Sequence, residues 1–426
     1  MQISARQKST LLPILILGAL FFIFGFVTWL NGTLIPYLRI ACELNTFQSL
    51  LIAFAFYISY FVMALPSSWI LQRTGFKKGM MLGLLVMAAG ALIFIPAALT
   101  RTYGIFLLGL FIIGTGLSVL QTASNPYITI LGPLESAAKR ISIMGICNKV
   151  AGVMAPLFLG AIVLADADNL THELQTLSGD ERVARLDSLA ERVIIPYIFI
   201  AVTLIGLSLL IRFSSLPEVE EEDHGAADSQ DSVIKHGGRS NVFQYPNLLL
   251  GVLAIFLYVG VEVIAADTLP SYGVSQGIAL SVSKNFASYT LAAMVIGYII
   301  GILTIPKVVK QDKALAISAI VGIAFSIIVQ FTNGYASVLF IALLGLANAL
   351  MWPAIWPLAL DRLGRFTKTG SALLIMAIAG GALLPLIYGK LADNNSIGPQ
   401  NAYWILIPCY LYILYYALSG HKLKQW

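Results

Sequence analysis

Residues 12–38 read LPILILGALFFIFGFVTWLNGTLIPYL, a run of 27 residues without a charged side chain. A helix needs about 20 apolar residues to cross the roughly 30 Å hydrocarbon core of a bilayer, so this run is long enough to span it. Eleven similar stretches follow in a chain of 426 residues that is 58% hydrophobic and 11% charged. The sequence therefore predicts an all-α membrane protein with twelve transmembrane helices.

The predicted spans form two groups of six, separated by a polar segment. They cover residues 12–38, 47–71, 79–99, 103–131, 141–165, 193–213, 247–271, 285–306, 313–332, 335–360, 369–391 and 401–419. Residues 166–192 are polar and show helical periodicity, which predicts a helical extracytoplasmic excursion. Residues 214–246 begin acidic and become Gly/Ser-rich, which predicts a flexible cytoplasmic linker. The predicted bundles are therefore residues 1–213 and 247–426.

Lys and Arg residues predict the orientation of these spans. If the N-terminus is cytoplasmic, 18 of the 26 basic residues fall in segments on that side. Cytoplasmic loops of membrane proteins carry such an excess, so both termini are predicted to be cytoplasmic in a multi-pass protein of the inner cell membrane. The net charge of +5 follows from this bias and does not indicate a nucleic-acid partner.

The two groups of spans look like repeats of one another. Gly114 through Pro126 overlays Gly345 through Pro357 without gaps, and Gly25, Thr33 and Leu34 overlay Gly260, Thr268 and Leu269 at one constant offset. Two similar bundles related by an axis along the membrane normal are typical of secondary transporters, which bind their substrate near the midplane between the bundles.

Three ionisable residues lie inside predicted spans: Lys149, Glu262 and Asp267. A charge at mid-bilayer costs at least about 2.5–3.5 kcal/mol, so such residues are functional candidates. By depth, Glu262 is the best-placed partner for Lys149. Two structural alternatives remain open, namely a purely structural Lys149–Glu262 pair and a water-exposed helix end at Asp267.

Amide and aromatic side chains accompany these charges. Amides can match the hydroxyl donors and acceptors of a sugar, and an indole can cover the apolar face of a sugar ring. Amides in membrane helices also serve as interhelical hydrogen bonds, and the indoles could instead face lipid or pack in the core. The predicted sugar-binding set is Asn31, Gln121, Asn125, Asn148, Lys149, Glu262, Asn348, Trp352 and Trp356.

Three strings carry a family resemblance: LNGTLIP at 30–36, QTASNP at 121–126 and YVGVEV at 258–263. Together they resemble the fucose/galactose/glucose symporter family of the major facilitator superfamily, especially its glucose/galactose branch. The resemblance implies two six-helix bundles and uptake of a monosaccharide coupled to a cation. It also implies a gating loop at Arg73, Gly75 and Lys77, in which Gln72 replaces the usual acid.

The chain departs from the fucose branch at its proton-carrying acids. Where that branch carries carboxylates in the first and fourth helices, this sequence has Gly32 and Gln121. The internal repeat pairs Gly32 with Asp267, so the coupling carboxylate is predicted to stand at the related place in the other half. Asp267, Thr268 and Glu262 form the predicted coupling site, with Asp267 as a ligand for Na⁺, since hard cations prefer oxygen ligands.

The hypothesis is thus a symporter that imports glucose, galactose or mannose with Na⁺ and has no resident cofactor. Alternatives are an H⁺-coupled symporter, including one for amino sugars or fucose-like sugars, a multidrug exporter and a non-transporting sugar sensor. An enzyme is not expected, because the four His and three Cys are dispersed. The expected partners are a sugar, a cation and the bilayer, and a monomer is expected.

Overall fold

The fold was analysed in a computed structural model, which describes residues 2–130, 137–214, 241–305, 308–361, 363 and 366–423. These residues form helices joined by turns, and no strand occurs among them. Of the predicted linker 214–246, residues 215–240 lie outside the described ranges. The all-helical class that the sequence predicts is confirmed.

Twelve helices in the described ranges are long and apolar enough to cross a membrane, which confirms the predicted number of spans. We label them α1 to α12. Their bounds are Pro13–Ala41, Thr46–Leu71, Arg73–Leu99, Tyr103–Ser124, Ile143–Val163, Ile194–Phe213, Pro246–Asp267, Leu280–Thr304, Gln311–Gln330, Gly334–Leu360, Thr369–Ala392 and Gly398–Lys422. Spans α1–α6 are called the N-terminal half and α7–α12 the C-terminal half.

The first span of each half is interrupted, α1 near its middle and α7 at its outer end, the end that the charge bias predicts to be extracytoplasmic. In α1, one helix ends at Trp29 and the next begins at Asn31. After α7 ends at Asp267, a short helix follows over Leu269–Ser275. Pro270 has no N–H, so the carbonyl of Ala266 lacks the donor that a regular helix would supply four residues later. Two candidate residues, Asn31 and Asp267, lie directly beside these interruptions.

Repeat-related glycines make equivalent contacts in the two halves. A Cβ on Gly114 of α4 would lie 2.4 Å from the carbonyl oxygen of Phe56 in α2, and one on Gly345 of α10 would lie 2.1 Å from that of Thr290 in α8. Only glycine lets the backbones approach this closely. The overlay seen in the sequence thus corresponds to the same helix–helix packing in both halves.

The halves meet along two pairs of spans, α2 with α11 and α5 with α8. The Ser288 hydroxyl of α8 donates a 2.8 Å hydrogen bond to the carbonyl of Val153 in α5. A Cβ on Gly389 of α11 would lie 2.7 Å from Cδ1 of Leu50 in α2. Lys149 of α5 pairs with Glu262 of α7 between the halves, and Asp267 of α7 lies near Gly32 of α1.

The segment 166–192 is helical, as its periodicity predicts, with helices over Ala167–Thr176 and Gly179–Glu191. Asp166 accepts hydrogen bonds from Arg185 at 3.0 Å and from Arg192, and the Arg192 bond holds the pKa of its carboxyl well below the usual value. The Tyr37 hydroxyl of α1 donates to the carbonyl of Leu189 at 2.6 Å. These contacts fix the excursion against the ends of α1 and α5.

Candidate functional site

An ion pair between Lys149 and Glu262 joins the two halves. Nζ of Lys149 in α5 lies 2.7 Å from Oε1 of Glu262 in α7, and the two side chains are only 10% and 8% exposed. The predicted pairing of these residues is thus confirmed as a direct contact. Because little water reaches either group, each charge depends on the other for its stabilisation.

A third residue, Trp29 of α1, holds the ammonium from another side. Nζ of Lys149 lies 4.5 Å from the centre of the Trp29 ring, within the range of a cation–π interaction. A Cβ on Gly152, one turn after Lys149, would lie 2.5 Å from Cδ1 of that ring, so the glycine makes room for the indole. Trp29 is not among the residues predicted from the sequence, although Gly152, one turn from Lys149, was the available signal.

Asp267 is fully buried, and neither of its carboxylate oxygens has a hydrogen-bond partner in the described part of the chain. A Cβ on Gly32 of α1 would lie 3.6 Å from Oδ1 of Asp267 and 2.7 Å from Cβ of Ala287 in α8. The two repeat-related positions therefore face each other across the interface between the halves. The close approach of Ala287 is what requires glycine at position 32, since 3.6 Å is an ordinary contact distance to the carboxylate.

Thr268 directs its hydroxyl away from the Asp267 carboxylate. Its Oγ1 donates to the carbonyl of Ile264 at 2.6 Å and lies 2.7 Å from Oη of Tyr403, in a hydrogen bond in which it can accept from the tyrosine hydroxyl. The Thr268 hydroxyl and the Asp267 carboxylate therefore do not hydrogen-bond each other, and their pairing on one cation stays a prediction. Within the described ranges, His, Cys, Asp and Glu form no group of three or more that could hold a metal ion.

The predicted amides differ in how far their hydrogen bonds are satisfied. Asn31 is 1% exposed and its Nδ2 has no partner among the described residues. Half-buried Gln121 donates to Oη of Tyr60 at 3.2 Å, and half-buried Asn148 donates to the carbonyl of Phe21 at 3.4 Å. The side chain of Asn125 lies outside the described part of the chain. In the N-terminal half, Asn31 thus offers a free donor inside the interface.

The C-terminal half contributes an amide and an aromatic stack from α10. Oδ1 of Asn348 accepts from the Tyr410 hydroxyl at 2.8 Å, whereas its buried Nδ2 lacks a partner in the described ranges. The partly buried rings of Trp352 and Trp356 stack with centroids 5.2 Å apart. Trp352 also lies 6.4 Å from the ring of Tyr258, which precedes Glu262 by one turn on the same face of α7.

The predicted gating loop makes its contacts inside the N-terminal half. The guanidinium of Arg73 lies 3.7 Å from the centre of the Trp69 ring, and Nζ of Lys77 donates to the carbonyl of Ser214 at 2.8 Å. Gly75 has φ +75°, a left-handed conformation that favours glycine, and it marks the turn between α2 and α3.

Two charged side chains of the C-terminal half, neither of them predicted as a site residue, close the outer end. Asp393, just after α11, accepts from the backbone N–H of Thr46 at 3.1 Å and of Phe47 at 2.7 Å, at the positive N-terminus of α2. Lys284 of α8 donates to the carbonyl of Leu164 at 2.6 Å, just beyond the negative C-terminus of α5. Both contacts match a charge to the opposite end of a helix dipole.

A cavity of about 70 Å³ lies beside Thr46, whose backbone N–H donates to Asp393. Its lining includes Arg39 of α1, Ser49 of α2, Ser271 in the segment after α7 and Tyr388 of α11, so it lies between the halves.

The chain resembles known proteins over almost its whole length. Residues 17–387 match the family described as the Major Facilitator Superfamily. A glucose/galactose transporter of Brucella abortus is 34% identical, with 98% of this chain and 96% of the relative covered. The L-fucose-proton symporter of Escherichia coli is 30% identical over 97% of this chain and 94% of the relative.

Solved structures of sugar symporters are also similar to this chain over almost its whole length. The crystal structure of an E. coli fucose:proton symporter variant matches with a TM-score of 0.72 and 28% identity, covering 96% of this chain and 98% of that one. The crystal structure of a D-xylose-proton symporter has the same TM-score, 0.72, at 16% identity, and supports the fold alone. The fold expected from the resemblance is confirmed.

The buried ion pair predicts strong coupling between Lys149 and Glu262. Lys149→Met should lower the thermal unfolding midpoint in detergent, because breaking a buried pair costs about 3–5 kcal/mol. Lys149→Met/Glu262→Leu should recover most of that loss, since neither charge is left alone. Lys390→Met, at an exposed position of α11, serves as the control. Additive losses in the double-mutant cycle would contradict a direct pair.

The Asp393 contact predicts a shift in the conformational equilibrium. Asp393→Asn removes the charge from the α2 N-terminus and weakens an interaction of about 0.3–1 kcal/mol. The test introduces Ser49→Cys in a background in which Cys42, Cys147 and Cys409 are replaced. With Asp393→Asn, this cysteine should react with an impermeant thiol reagent added outside up to about fivefold faster than it does with Asp393 in place. Asp312→Asn, at the opposite end of the molecule, should leave the rate unchanged. Equal rates in all three proteins would contradict a closing role for Asp393.

Proposed function

Since the chain belongs to the Major Facilitator Superfamily, and within it to the fucose/galactose/glucose symporter family, we propose that it imports a hexose together with a monovalent cation. Curated relatives covering nearly the whole chain are named as sugar transporters. The observation that carries the coupling part of the proposal is the buried carboxylate of Asp267, which has no partner among the described residues.

The sugar part of the proposal rests on unsatisfied donors in both halves. Buried Asn31 in α1 and Asn348 in α10 each present an Nδ2 without a partner in the described ranges. A buried donor that lacks an acceptor costs about 1–3 kcal/mol, and a sugar hydroxyl would remove that cost. The stacked indoles of Trp352 and Trp356 offer an apolar surface suited to the face of a pyranose ring.

The cation part rests on the environment of Asp267. An isolated ionised carboxylate in an apolar interior is highly unfavourable unless it is paired or neutralised. The Lys149 ammonium is already hydrogen-bonded to Glu262. Asp267 therefore provides a place where an incoming cation is stabilised. Its position beside Gly32 supports the idea that the coupling carboxylate has moved between the repeats.

A proton is the cation that this geometry favours. One carboxylate suffices to carry a proton, whereas Na⁺ needs several oxygens, and the Thr268 hydroxyl is directed elsewhere. Relatives named as L-fucose-proton symporters support the same choice. Sodium is the second candidate because the carbonyl of Ala266, beside Asp267, lacks a helical donor from Pro270 and could serve as a further ligand.

Alternating access would connect the two binding events. The outer end is closed by Asp393 and Lys284, so import requires the halves to separate there and close at the opposite end. A sugar and a cation that both bind at the interface between the halves shift the same conformational equilibrium. Their binding free energies are then linked, and each ligand raises the affinity for the other by the same factor.

Counterflow in proteoliposomes tests the proposed substrate class. Vesicles loaded with unlabelled glucose or galactose should transiently accumulate the labelled sugar from outside, while vesicles without protein should not. Repeating the assay over a range of pH at zero and high Na⁺ separates the two cations. Counterflow absent for every hexose tested, in protein that is folded by its unfolding profile, would refute hexose transport.

The free donor of Asn31 predicts a loss of sugar affinity on truncation. Asn31→Ala removes a hydrogen bond to the substrate and should weaken hexose binding by about 1–3 kcal/mol, or roughly 5- to 150-fold. Gln121→Ala, Asn125→Ala and Asn148→Ala are expected to weaken it in the same direction. Asn401→Ala, at an exposed position, is the control. Parental affinity in all four amide variants, measured by equilibrium binding, would show that these amides do not form the sugar site.

Asp267→Asn tests the coupling carboxylate. The change keeps the size of the side chain but removes the charge, so uptake against a gradient should be lost. Sugar exchange should persist, because exchange does not require the cation-free carrier to return. Asp312→Asn should keep both activities. Cation-driven accumulation that persists in Asp267→Asn would move the coupling role to Glu262.

A further inference from the structure

We infer that the cavity between the two halves at the outer end binds a small monovalent anion with the size and hydration of chloride or bromide. Arg39 of α1 and Ser271 of the short helix after α7 hold the anion, one residue from each half. Lys149, Glu262 and Asp267 are not among the described residues that line this cavity. The inference therefore concerns a second site, and it does not rest on the proposed function.

Arg39 is the half-buried basic residue of the outer end whose charge lacks a partner among the described residues. Four arginines of this end form ion pairs with carboxylates of the N-terminal half: Arg101, Arg182, Arg185 and Arg192. Lys284 donates to the carbonyl of Leu164, and Lys390 is exposed. The guanidinium of Arg39 forms no hydrogen bond or ion pair with a residue that the structure describes. Since a guanidinium keeps its charge and has only donors, it needs an acceptor.

The cavity beside Arg39 offers space and a second donor. Its volume of about 70 Å³ is several times the roughly 10–15 Å³ that one water molecule needs. Oγ of Ser271 is buried and has no partner in the described ranges, so its proton is available to a ligand. No Asp or Glu is among the described residues of the lining. A positive charge and a free hydroxyl in a wall without carboxylates favour an anion as the ligand.

The carboxylate of Asp393 lies next to this cavity but is bound elsewhere. Its two oxygens accept from the backbone N–H groups of Thr46 and Phe47, and Thr46 lines the cavity. If Asp393 turned to Arg39, the N-terminus of α2 would lose its negative partner and the halves would lose a contact. An anion from solution compensates Arg39 without that loss.

The lining limits which anion fits. Ile35, Leu50 and Pro399 share the wall with the polar groups, so an anion that enters gives up its hydration for only a few polar contacts. Chloride and bromide hold water less tightly than fluoride or sulfate do, and a guanidinium is itself weakly hydrated. A divalent anion would also carry one negative charge more than Arg39 balances. We therefore expect selection of chloride and bromide over fluoride and sulfate.

The site is assembled by closure of the outer end. Arg39 and Ser49 belong to the N-terminal half, whereas Ser271 and Tyr388 belong to the C-terminal half. Separation of the halves at this end moves the guanidinium away from the Ser271 hydroxyl, so the anion binds the closed conformation more tightly than the open one. A ligand with that preference shifts the equilibrium towards closure.

Arg39→Gln tests the guanidinium through the thermal unfolding midpoint in uncharged detergent, without sugar. Sodium bromide replaces sodium glutamate stepwise, so that the Na⁺ concentration and the ionic strength stay constant. At ten times its dissociation constant, bound bromide should raise the midpoint of the parent by roughly 1–2 °C. Arg39→Gln should lack this contribution, whereas Lys390→Gln, which removes an exposed charge of the same end, should keep it. Comparing each variant with the parent removes the general effect of the salt on stability.

Ser271→Ala keeps the inference testable if Arg39→Gln fails to fold. It should weaken the apparent affinity for bromide about tenfold, since one hydrogen bond to a charged group is lost. Bromide in crystals of the parent should also give an anomalous scattering peak within hydrogen-bonding distance of Arg39 and Ser271. An unchanged affinity in Ser271→Ala, or anomalous peaks only elsewhere on the protein, would overturn the inference.

A general salt effect is the alternative explanation for a change in the midpoint. A bromide effect of equal size in the parent and in Arg39→Gln, or one that fluoride reproduces in the parent, would show such an effect and overturn the inference. No bromide effect in the parent would do the same. Because no sugar is present and no flux is measured, these outcomes do not depend on whether the chain transports a hexose.

Discussion

The cost of placing charge where water cannot follow is the constraint on which the rest of this structure depends. A membrane protein has no aqueous exterior along most of its length, so a charged group inside the bundle must find its partner there. Lys149 and Glu262 meet that need across the boundary between the halves. The Lys149–Glu262 ion pair thus joins the two halves at their centre and also makes that centre polar. A conformational change there must keep each of these charges paired.

The sequence predicted the twelve spans and the Lys149–Glu262 contact because both follow from one-dimensional signals. Span length is set by bilayer thickness, and the depth of a residue is set by its distance from the helix end. The direction of the Thr268 hydroxyl could not be predicted, since it depends on the local break after Asp267 and on Tyr403 from a distant span. Trp29 and Asp393 were missed for a related reason: their partners are a helix face and a helix end in another part of the chain.

The contact between Gly32 and Asp267 shows what an internal repeat makes possible. The two positions are equivalent in the two halves, and they lie side by side where the halves meet. A Cβ on Gly32 would lie within contact distance of the Asp267 carboxylate, so side chains at the two positions occupy the same region of the interface. In a family whose two halves are repeats, the charged group can move from one half to the other while the centre keeps its electrostatic character. A comparison of residues at one aligned position then understates how similar the centres of two relatives are.

The closure of the outer end has a consequence for how the two halves can diverge. Asp393 accepts hydrogen bonds from two backbone N–H groups of the N-terminal half, and Lys284 donates one to a backbone C=O group of that half. Every residue except proline supplies both groups, so substitutions at Thr46, Phe47 or Leu164 leave the acceptors and donors in place. In each of these hydrogen bonds, selection therefore constrains the charged side chain of the C-terminal half and not the side chain of the residue whose backbone it binds. Side chains at these positions of the N-terminal half can therefore change while the hydrogen bonds that close the outer end are kept.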